Sequence, residues 1–576
     1  MAQTDNSALD SHSASSAARL TWILLILATL YLCYFHNLGA IGLVGPDEPR
    51  YAWIARDMAE TGDWVTPRLY GKPWFEKPVL YYWCAILSFK LFGVSEASAR
   101  FPSALAALFA TLAMAWLAWR EYGAETARWL LLLLPTTVGM IGFSHSAAPD
   151  MPFAAMLTIA MVFAARLLGL VLDSSSTSFT SSTSFTSLFF GFFLGLAVLA
   201  KGPAAIILSG GAVLLWAIFT KRWRDAFRCL HPVAIASFCL TALPWYILCA
   251  RRNPDFFRVF IIEHNIKRYL TPEFQHIQPF WFYLPVVLIA FVPWTLALVW
   301  SALYGALRYL PTRRPNPTTI LLFCWSAFCI VFFSISKSKL PGYILPAVPV
   351  LGVLLARSYV HLVPSDEKSF RWLHLAFGFL SAPVGLLLLS VGSNFLPART
   401  NGQVLTSIAW TLFLFALANL LLAMRHQVSS QALSLNSFCV LPVLIVVYLF
   451  PQVSAPWLRY DPSGKTLARE LIEKQIPLDH LYIARMPRGQ EYSLNFYLRR
   501  EVGPWNKENP REGYLLLPSK NCGYFVSEPW VCSENATELR SSGWFVYRVE
   551  RSGSVSGPAA LGGSGSDGSA AGRQPR

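Results

Sequence analysis

The sequence predicts a polytopic α-helical membrane protein with a small α/β domain at its carboxyl end, and three observations lead to this fold class. Only 14% of the 576 residues are charged and 54% are hydrophobic, whereas about 25% of the residues of soluble domains are charged. The apolar residues are grouped in blocks close to the roughly 20 residues that a helix needs to cross a bilayer. After Val453 these blocks stop, and short strand-like and helical segments follow.

Residues 19–453 are predicted to form a transmembrane domain, preceded at 1–18 by a polar, Ser/Ala-rich cytoplasmic tail that we expect to be disordered. The first apolar block is long and many more follow it, so it is predicted to be an uncleaved span rather than a signal peptide. The thirteen predicted spans cover approximately residues 20–40, 101–118, 129–143, 151–172, 185–200, 203–219, 230–250, 280–304, 318–334, 342–361, 373–393, 404–424 and 436–453.

Two segments have lengths that do not suit one span. Residues 185–219 overshoot a bilayer of roughly 30 Å, and the Pro of "AKGPAA" breaks the helix, so two spans divided at Lys201 are predicted. Residues 78–92 are too short to cross and contain Lys90. This segment and residues 47–60 are therefore predicted to be helices at the outer membrane surface.

The basic loops predict the orientation of the chain. With thirteen spans, loops such as "KRWRDAFR" and "RYLPTRRP" all fall on one side, which the positive-inside rule assigns to the cytoplasm. The amino terminus is then inside and the carboxyl end outside. Such loops also account for the net charge of +15, so no nucleic-acid partner is predicted and the partners include membrane lipids.

Residues 454–551 are predicted to form a non-cytoplasmic α/β domain, in which "GKTLARELIEK" is helical and "HLYIAR", "GYLLLP", "GYFVSE" and "GWFVYRV" are strands. We predict a disulfide between Cys522 and Cys532, because disulfides persist outside the cytoplasm and the other cysteines lie in or beside apolar blocks. The alternative is two unrelated thiols on neighbouring strands. Residues 552–576 are rich in Gly, Ser and Ala and are predicted to be a disordered tail.

Acidic residues gather on the predicted outer side. Asp47 and Glu48 follow the first span, where they either complement the dipole of a helix N-terminus or act as functional carboxylates. Asp150 in "APDMP" stands at a natural cap position, and capping is the simpler interpretation. The functional alternative is that Asp150 and Asp47 share one face, since carboxylates at a membrane are energetically costly unless they are used.

Cations and a tyrosine lie on the same predicted face: Lys77, Lys201, Arg268, Lys339 and Tyr343. A snorkelling lysine is the alternative for Lys77. Outward loops are normally poor in Lys and Arg, so this set favours a bound anion such as a phosphate.

Glu76 and His264 are two potential metal ligands, fewer than the three or four protein ligands of zinc sites. The residues by themselves therefore favour no metal. The many aromatic rings around Glu76 fit either an interfacial belt or a groove for a prenyl chain or a sugar.

The run "DEPRYAWIARDM…GDWVTPRLYGKPWFEKPVLYYW" resembles the first outward loop of the lipid-linked aminoarabinose transferases. These belong to the protein O-mannosyltransferase-like superfamily of polyprenyl-phosphate-sugar-dependent glycosyltransferases. The segments "HSAAPDMP", "LGLAVLAKGP", "EHNIKRY" and "FFSISKSKLPGYILPAVPVL" resemble later blocks of that family in the same order. The resemblance covers roughly residues 20–360.

The resemblance implies the C-type membrane glycosyltransferase fold with about thirteen transmembrane helices, in a bacterial inner membrane with the active site facing the periplasm. It implies an inverting glycosyltransferase that takes a sugar, such as 4-amino-4-deoxy-L-arabinose, from an undecaprenyl-phosphate carrier. The acceptor is then an outward-facing lipid or glycan, such as lipid A or another cell-envelope glycan or protein.

The resemblance also implies roles for individual residues. The implied acids, catalytic or acceptor-orienting, are Asp47 and Asp150, and the implied contacts of the donor phosphate are Lys77, Arg268 and Tyr343, with Lys201 nearby. A divalent metal at Glu76 and His264 is implied as an option. From their place on the same predicted face, Glu48 is predicted as a further catalytic acid and Lys339 as a further phosphate contact.

The alternative function is a lipid-carrier transporter or flippase without transferase activity. Such proteins place ionisable residues near the membrane midplane, on broken helices in paired repeats. Here the ionisable residues are predicted at span ends on one face, and no internal repeat is visible. The pattern therefore favours the transferase.

Overall fold

The computed structural model describes residues 3–171, 179–271, 277–305, 315–365 and most of 463–551, with single positions between 410 and 448. The last three predicted spans, apart from those single positions, and the predicted tail at 552–576 lie outside the described residues. The chain divides into two compact units. The first comprises Met1–Ser463 with Arg488–Phe496, and the second comprises Gly464–Pro487 with Tyr497–Arg576.

The first unit is almost entirely helical over its described residues. Its helices are α1 (Gln3–Tyr34), α2 (Asp47–Thr61), α3 (Leu80–Phe92), α4 (Glu96–Tyr122), α5 (Ala124–Leu133), α6 (Val138–Ser144), α7 (Asp150–Leu167), α8 (Phe179–Lys201), α9 (Ala204–Thr220), α10 (Trp223–Ala226), α11 (Pro232–Arg252), α12 (Arg268–Leu270), α13 (Tyr283–Ala290), α14 (Thr295–Tyr304), α15 (Pro317–Ile335) and α16 (Val348–Ser365). A two-stranded ribbon of β1 (Arg68–Leu69) and β2 (Lys72–Pro73) lies between α2 and α3.

Local sequence signals explain where several helices begin. Ser95 caps α4 in a capping box with Ser98, so that each side chain accepts a hydrogen bond from the backbone of the other. Asn316 caps α15, which has Pro317 in its first turn, where a missing N–H leaves no hydrogen bond unmade. Helix α1 begins at Gln3, so the helix extends into the segment predicted as a tail.

Within the described residues, six helices are long and apolar enough to cross a membrane, and two bent helix pairs raise the number to eight. Three shorter apolar helices cover Arg19–Tyr34, Leu80–Phe92 and Ala204–Thr220. The chain is thus a multi-pass, mostly helical membrane protein. The predicted spans at 129–143 and 280–304 are not straight helices, because Ala124–Leu133 and Val138–Ser144 meet at 63°, and Phe280–Ala290 and Thr295–Leu303 meet at 118°.

Prolines account for these bends and for a third break that the sequence predicts correctly. Pro135 and Pro293 stand in the two gaps, where a missing N–H and the ring interrupt a helix. The predicted division at Lys201 is confirmed, since α8 ends there and α9 starts at Ala204. Between them Gly202 has φ +98°, and a Cβ added to it would lie 2.9 Å from the ring of Phe260. Only glycine suits this turn.

The predicted helices at 47–60 and 78–92 are present as α2 and α3, with α3 starting two residues after Pro78. The described part of segment 251–279, which is predicted to face outward, is more regular than a loop. It contains a π-helix, Arg258–Lys267, followed directly by the single turn α12. A π-helix inside a helical segment is rare and is frequent at functional sites.

The second unit contains a six-stranded sheet: β3 (Leu481–Ile483), β4 (Gly503–Pro504), β5 (Gly513–Leu517), β6 (Trp530–Cys532), β7 (Thr537–Leu539) and β8 (Trp544–Arg551). The strand order is β4-β3-β5-β8-β6, and β7 also pairs with β8. Strand β3 is parallel to β4 and β5, whereas β8 is antiparallel to its neighbours. Helix α17 (Lys465–Glu473) precedes β3, as predicted.

Two features of this region differ from the prediction. The described residues of "GYFVSE" are not in a strand, and the strand lies further along at β6. Sequence periodicity also misses α18 (Arg488–Leu498), whose residues up to Phe496 belong to the first unit. There Ser493 Oγ donates a hydrogen bond to the Leu43 carbonyl at 2.8 Å. The predicted disulfide between Cys522 and Cys532 is present.

Candidate active site

Arg50 joins two acidic side chains at the start of α2. Its Nη2 atom lies 2.6 Å from Asp47 Oδ1 and 2.9 Å from Glu76 Oε2. The Arg50 side chain is 6% exposed, whereas the Asp47 side chain is 56% exposed. The two residues are three positions apart, which places them on the same face of the helix. The helix therefore presents an accessible carboxylate beside a buried guanidinium.

Glu76 is surrounded by three cations. Besides Arg50, Arg268 Nη1 lies 3.4 Å and Lys77 Nζ lies 3.7 Å from Glu76 Oε1. Burial acts to raise the pKa of Glu76, but Lys77, Arg50 and Arg268 outweigh burial and lower the pKa to about 2. The carboxylate is therefore ionised at physiological pH, and one negative charge faces three positive charges.

Lys77 is a buried amine in a positively charged surrounding, with 13% of its side chain exposed. Burial lowers its pKa to about 8; Glu76 opposes this effect, while Arg268 and Lys201 reinforce it. An anion placed beside Lys77 would replace lost hydration and offset the repulsion from the other cations. The arrangement around Glu76 is thus suited to binding an anion.

Asp150 and Lys201 form a second, partly buried pair. Lys201 Nζ lies 2.5 Å from Asp150 Oδ1 and 4.8 Å from the centre of the Tyr343 ring. Asp150 is the first residue of α7 and Lys201 the last residue of α8, and these two helices pack together. The N-cap residue of α7 is Pro149. Asp150 is therefore not the cap residue, and its side chain pairs with the lysine instead.

At Gly342 the backbone packs directly against the Asp150–Lys201 pair. It lies in the 3₁₀ helix Pro341–Ala347, and a Cβ added to it would be 2.8 Å from Asp150 Oδ1 and 2.9 Å from the ring of Phe143. A side chain at this position would have to displace the carboxylate. The glycine before Tyr343 thus allows the Asp150–Lys201 pair to form.

The two groups of charges act on each other. The charges of Lys201 and Asp150 both affect the Lys77 amine, and Arg268 forms a hydrogen bond with the Tyr343 side chain. Although the Asp47 side chain is 56% exposed, the surrounding protein removes part of its hydration and raises its pKa; Arg50 opposes this rise, and the negative charges of Glu76 and Asp150 add to it. The structure therefore brings most of the residues singled out in the sequence into one cluster.

Glu48 faces a different part of the protein. Its carboxylate makes two hydrogen bonds with Arg100, at 2.7 and 2.9 Å, and accepts one from the Ala147 N–H at 2.7 Å and one from the Val44 N–H at 3.0 Å. Arg100 also donates to the carbonyls of residues 38, 41 and 42. These contacts fix the turn before α2, and they favour a positioning role for Glu48 over a catalytic one.

Lys339, like Glu48, makes its contacts with other parts of the protein. It is 6% exposed, and its Nζ donates hydrogen bonds to the Ser336 carbonyl at 2.6 Å and the Gln278 carbonyl at 3.0 Å. These contacts join the segment before the 3₁₀ helix to the segment around residue 277, where Ile277 and Ser338 form a β-bridge. Lys339 therefore stabilises the surroundings of Tyr343 rather than adding a charge to the cluster.

The residues present do not fit a divalent metal at Glu76 and His264. The charges of Glu76, Lys77 and Arg268 all act on His264, which places the two predicted ligands in one region. However, the Glu76 carboxylate already faces three cations, which would repel a metal ion. Within the described part of the chain, no group of three or more His, Cys, Asp or Glu side chains is placed to hold a metal.

Sequence reasoning misses Arg50 and Arg100. The spacing of Asp47 and Arg50 is a usable signal, since residues three apart on a helix are neighbours. Arg100 has no comparable signal, because its partner Glu48 lies in another helix. The centre of the Arg50 guanidinium also lies 5.2 Å from the Tyr51 ring and 5.6 Å from the Trp74 ring, so aromatic faces shield it.

Comparison with solved structures defines the class of protein. The chain matches ArnT from Cupriavidus metallidurans bound to undecaprenyl phosphate with a TM-score of 0.73, at 23% identity, over 92% of this chain and 98% of that chain. The apo state of the same ArnT matches equally well, with a TM-score of 0.73. The fold and the charged cluster thus define a multi-pass membrane protein with the fold of ArnT.

Sequence comparison identifies the family. Residues 20–260 match the family described as dolichyl-phosphate-mannose-protein mannosyltransferase. An undecaprenyl phosphate-alpha-4-amino-4-deoxy-L-arabinose arabinosyl transferase of Aeromonas salmonicida (strain A449) is 31% identical over 453 residues, which is 77% of each chain. The chain belongs to the family of these arabinosyl transferases.

Other relatives carry the same name over a shorter stretch. The transferase of Enterobacter sp. (strain 638) is 33% identical over 64% of this chain and 65% of its own length. That of Edwardsiella ictaluri (strain 93-146) is 34% identical over 60% of this chain and 61% of its own length. The chain thus spans slightly less than two thirds of the length of these two relatives.

Proposed function

We propose that the chain is an inverting glycosyltransferase that moves 4-amino-4-deoxy-L-arabinose from undecaprenyl phosphate to an acceptor such as lipid A. The observation that carries this proposal is the cluster in which Arg50, Lys77 and Arg268 surround Glu76, beside the carboxylates of Asp47 and Asp150. Membership of the arabinosyl transferase family supports the sugar and the lipid carrier.

The cations are assigned to the phosphate of the donor. Cleavage of the bond between sugar and phosphate builds negative charge on the departing phosphate, and fixed positive charges stabilise that charge without reorganising. Lys77, Arg268 and the Tyr343 hydroxyl are the proposed phosphate contacts, with Arg50 behind them. Lys201 supports Tyr343 through its contact with the ring, at 4.8 Å.

The two carboxylates are assigned to the sugar and the acceptor. Asp150, held by Lys201, is suited to stabilising positive charge on the sugar in the transition state. Asp47 is the more exposed acid and is assigned to the acceptor. An acceptor phosphate has a second pKa of about 6 and is largely deprotonated at neutral pH. Asp47 would then orient the acceptor, and one direct displacement would invert the anomeric carbon.

We also propose thirteen spans in a bacterial inner membrane, with the cluster on the periplasmic side. Each of the ten predicted spans that fall within the described residues corresponds to an apolar helix or a bent helix pair, and three more are predicted between residues 373 and 453. The distribution of Lys and Arg among the loops supports this orientation.

A lipid-carrier transporter is the competing function, and the placement of the charges argues against it. Asp47, Asp150 and Lys201 all stand at helix ends, whereas transporters bind their substrates near the membrane midplane. Transfer and transport also differ in their products, because only a transferase releases undecaprenyl phosphate without its sugar.

Transfer of labelled sugar from the undecaprenyl-phosphate donor to lipid A by purified protein in detergent tests the proposal. We expect Lys77→Ala and Arg268→Ala to lower kcat/KM for the donor by roughly 10- to 150-fold each, which is the range of a hydrogen bond to a charged group. Lys72→Ala is the matched control, because Lys72 is an exposed cation of the same segment. Wild-type protein that moves the donor across a bilayer and transfers no sugar would overturn the proposal.

A further inference from the structure

An apolar cavity lies along α9, from Ile206 to the connector at residues 221–230 that follows the helix. Its volume is about 510 Å³, and it is open on one side and lined by α8, α9, α11 and the connector between α9 and α11. The 17 residues of α9 separate its two ends by roughly 25 Å, at 1.5 Å per residue. The connector is therefore remote from Lys201, and the lining of the cavity includes none of the residues of the charged cluster.

The interior of the cavity offers only hydrocarbon contacts. Its walls include Leu194, Val213 and Phe238. The hydroxyl of Ser209, which also lines it, donates to the Ala205 carbonyl at 2.9 Å and is already satisfied. A volume of this size lies within the range of ligand pockets, about 300–1,000 Å³, and the lining suits an alkyl chain.

The connector forms a basic and apolar rim to this cavity. Its residues 221–230 contain four basic side chains and one acid, Asp225. Trp223, Phe227 and Leu230 are exposed by 44, 64 and 61%, and all three also line the cavity. A short segment with exposed aromatic and basic side chains is typical of the interface between hydrocarbon and headgroups.

Two of the four basic residues are occupied and two are available. Arg222 and Arg228 both pair with Asp225, at 2.6 and 3.1 Å. Lys221 and Arg224 are exposed, and neither has an acidic partner among the residues that the structure describes. The rim thus carries two uncompensated positive charges beside the mouth of an apolar cavity.

We propose that the cavity and its rim bind one anionic phospholipid of the membrane, with an acyl chain in the cavity and the phosphate at Lys221 and Arg224. Charge complementarity selects this occupant over a zwitterionic lipid, because basic residues beside the membrane attract anionic headgroups. In the proposed orientation the connector is cytoplasmic, so the lipid belongs to the inner leaflet. The site does not depend on the proposed transfer reaction.

Native mass spectrometry of the full-length protein in micelles containing either dioleoyl-phosphatidylglycerol or dioleoyl-phosphatidylcholine tests this site. We expect the wild type to retain phosphatidylglycerol in preference to phosphatidylcholine. The double variant Lys221→Gln/Arg224→Gln should bind phosphatidylglycerol about thirtyfold more weakly, from about 1 kcal/mol per basic residue near an anionic surface. Arg19→Gln, which removes an exposed cation of α1, should leave retention unchanged.

A second variant tests the cavity itself. A Cβ added to Gly210 meets no atom within 4 Å, so Gly210→Leu should place a side chain in the cavity without disturbing the helices and should weaken lipid retention. Gly142→Leu is the control, because Gly142 is equally open and does not line the cavity. Equal retention of the two lipids by the wild type, or full retention of phosphatidylglycerol by the double-charge variant, would overturn the proposal. The cavity would then make only the nonspecific lipid contacts of any membrane-exposed surface. If Gly210→Leu does not fold, the charge variants decide alone.

Discussion

At the scale of single residues, the charges around Glu76 determine how the site responds to pH. Burial lowers the pKa of Lys77 to about 8, so this amine is protonated below pH 8 and loses its charge above it. Because the pKa of Glu76 is about 2, this carboxylate stays ionised throughout the same range. We therefore expect kcat/KM for the donor to fall as the pH rises through about 8, since kcat/KM reports ionisations of the free enzyme.

The variant Lys77→Arg separates this effect from other ionisations. A guanidinium stays protonated to beyond pH 12, so the fall near pH 8 should disappear. The absolute rate should be lower than that of the wild type, because a planar fork does not replace a compact ammonium. Lys72→Arg should keep the wild-type profile. An unchanged alkaline limb in Lys77→Arg would show that another group is responsible.

Glu48 provides a second test at this scale. Glu48→Gln should destabilise the protein by about 3–5 kcal/mol, because it removes the ionised partner of the buried Arg100 and leaves that charge facing neutral groups alone. Glu60→Gln is the control, since Glu60 is 61% exposed in its pair with Arg56. Its effect should stay within about 1 kcal/mol. Both changes are measured by thermal unfolding in detergent. A Glu48→Gln variant of normal stability that has lost turnover would instead make Glu48 catalytic.

The difference between Asp47 and Glu48 shows what sequence can predict at single positions. Both acids follow the first span, and their composition and place in the chain give them the same expected roles. On α2 they are successive residues and point in different directions, so Asp47 meets Arg50 while Glu48 meets Arg100. The cluster could be predicted from charges on one face, but the partner of each charge depends on packing between distant segments.

At the scale of elements, the 3₁₀ helix Pro341–Ala347 determines the position of Asp150. Gly342→Ala would bring a methyl group to 2.8 Å from Asp150 Oδ1, so this carboxylate would have to shift, and the shift disturbs its pair with Lys201. We expect turnover to fall by roughly tenfold to a hundredfold, the usual effect of a displacement of about 1 Å at a catalytic group.

Two comparisons make the Gly342 experiment specific. Gly142→Ala is the control for inserting a methyl group, because a Cβ there meets no atom within 4 Å, and it should keep normal turnover. The loss in Gly342→Ala should not add to that of Asp150→Asn, because both act on one carboxylate. Fully additive losses would mean that Gly342 acts through other contacts.

Elements were predictable where one local signal dominated. Lys201-Gly-Pro marks the end of α8, and the helices at 47–60 and 78–92 are bounded by Pro and Gly. The bends at Pro135 and Pro293 were missed, because apolar composition continues across both prolines. A strand was predicted at "GYFVSE", because the composition of this segment is typical of a strand. The observed strand, β6, lies further along the chain, and Phe525 of the predicted segment packs in the core beside the disulfide.

At the scale of the whole molecule, the distribution of charge between the loops predicts the orientation, and this can be measured directly. Variants with a single introduced cysteine, Lys72→Cys or Asp255→Cys, should react with an impermeant thiol reagent in spheroplasts, because both positions are predicted to lie outside. Glu125→Cys, on the predicted cytoplasmic side, should react only after permeabilisation. Lys72 is exposed, and Asp255 and Glu125 are 73% and 45% exposed, so each new thiol is accessible from its own side.

The starting variant for this labelling experiment must have no reactive cysteine of its own. The seven free cysteines within the described residues are buried or half-buried, and they are replaced together with Cys439, while the disulfide between Cys522 and Cys532 is kept. Between Lys72 and Glu125 the only helix that qualifies as a span within the described residues is α4, so these two positions should lie on opposite sides.

Two outcomes would contradict the prediction. Labelling of Glu125→Cys alone would show that the orientation is inverted and that the charged cluster lies on the cytoplasmic side. Labelling of both positions would mean that α4 does not cross, and the convergence of Asp47 and Asp150 on one face of the membrane would then need another explanation.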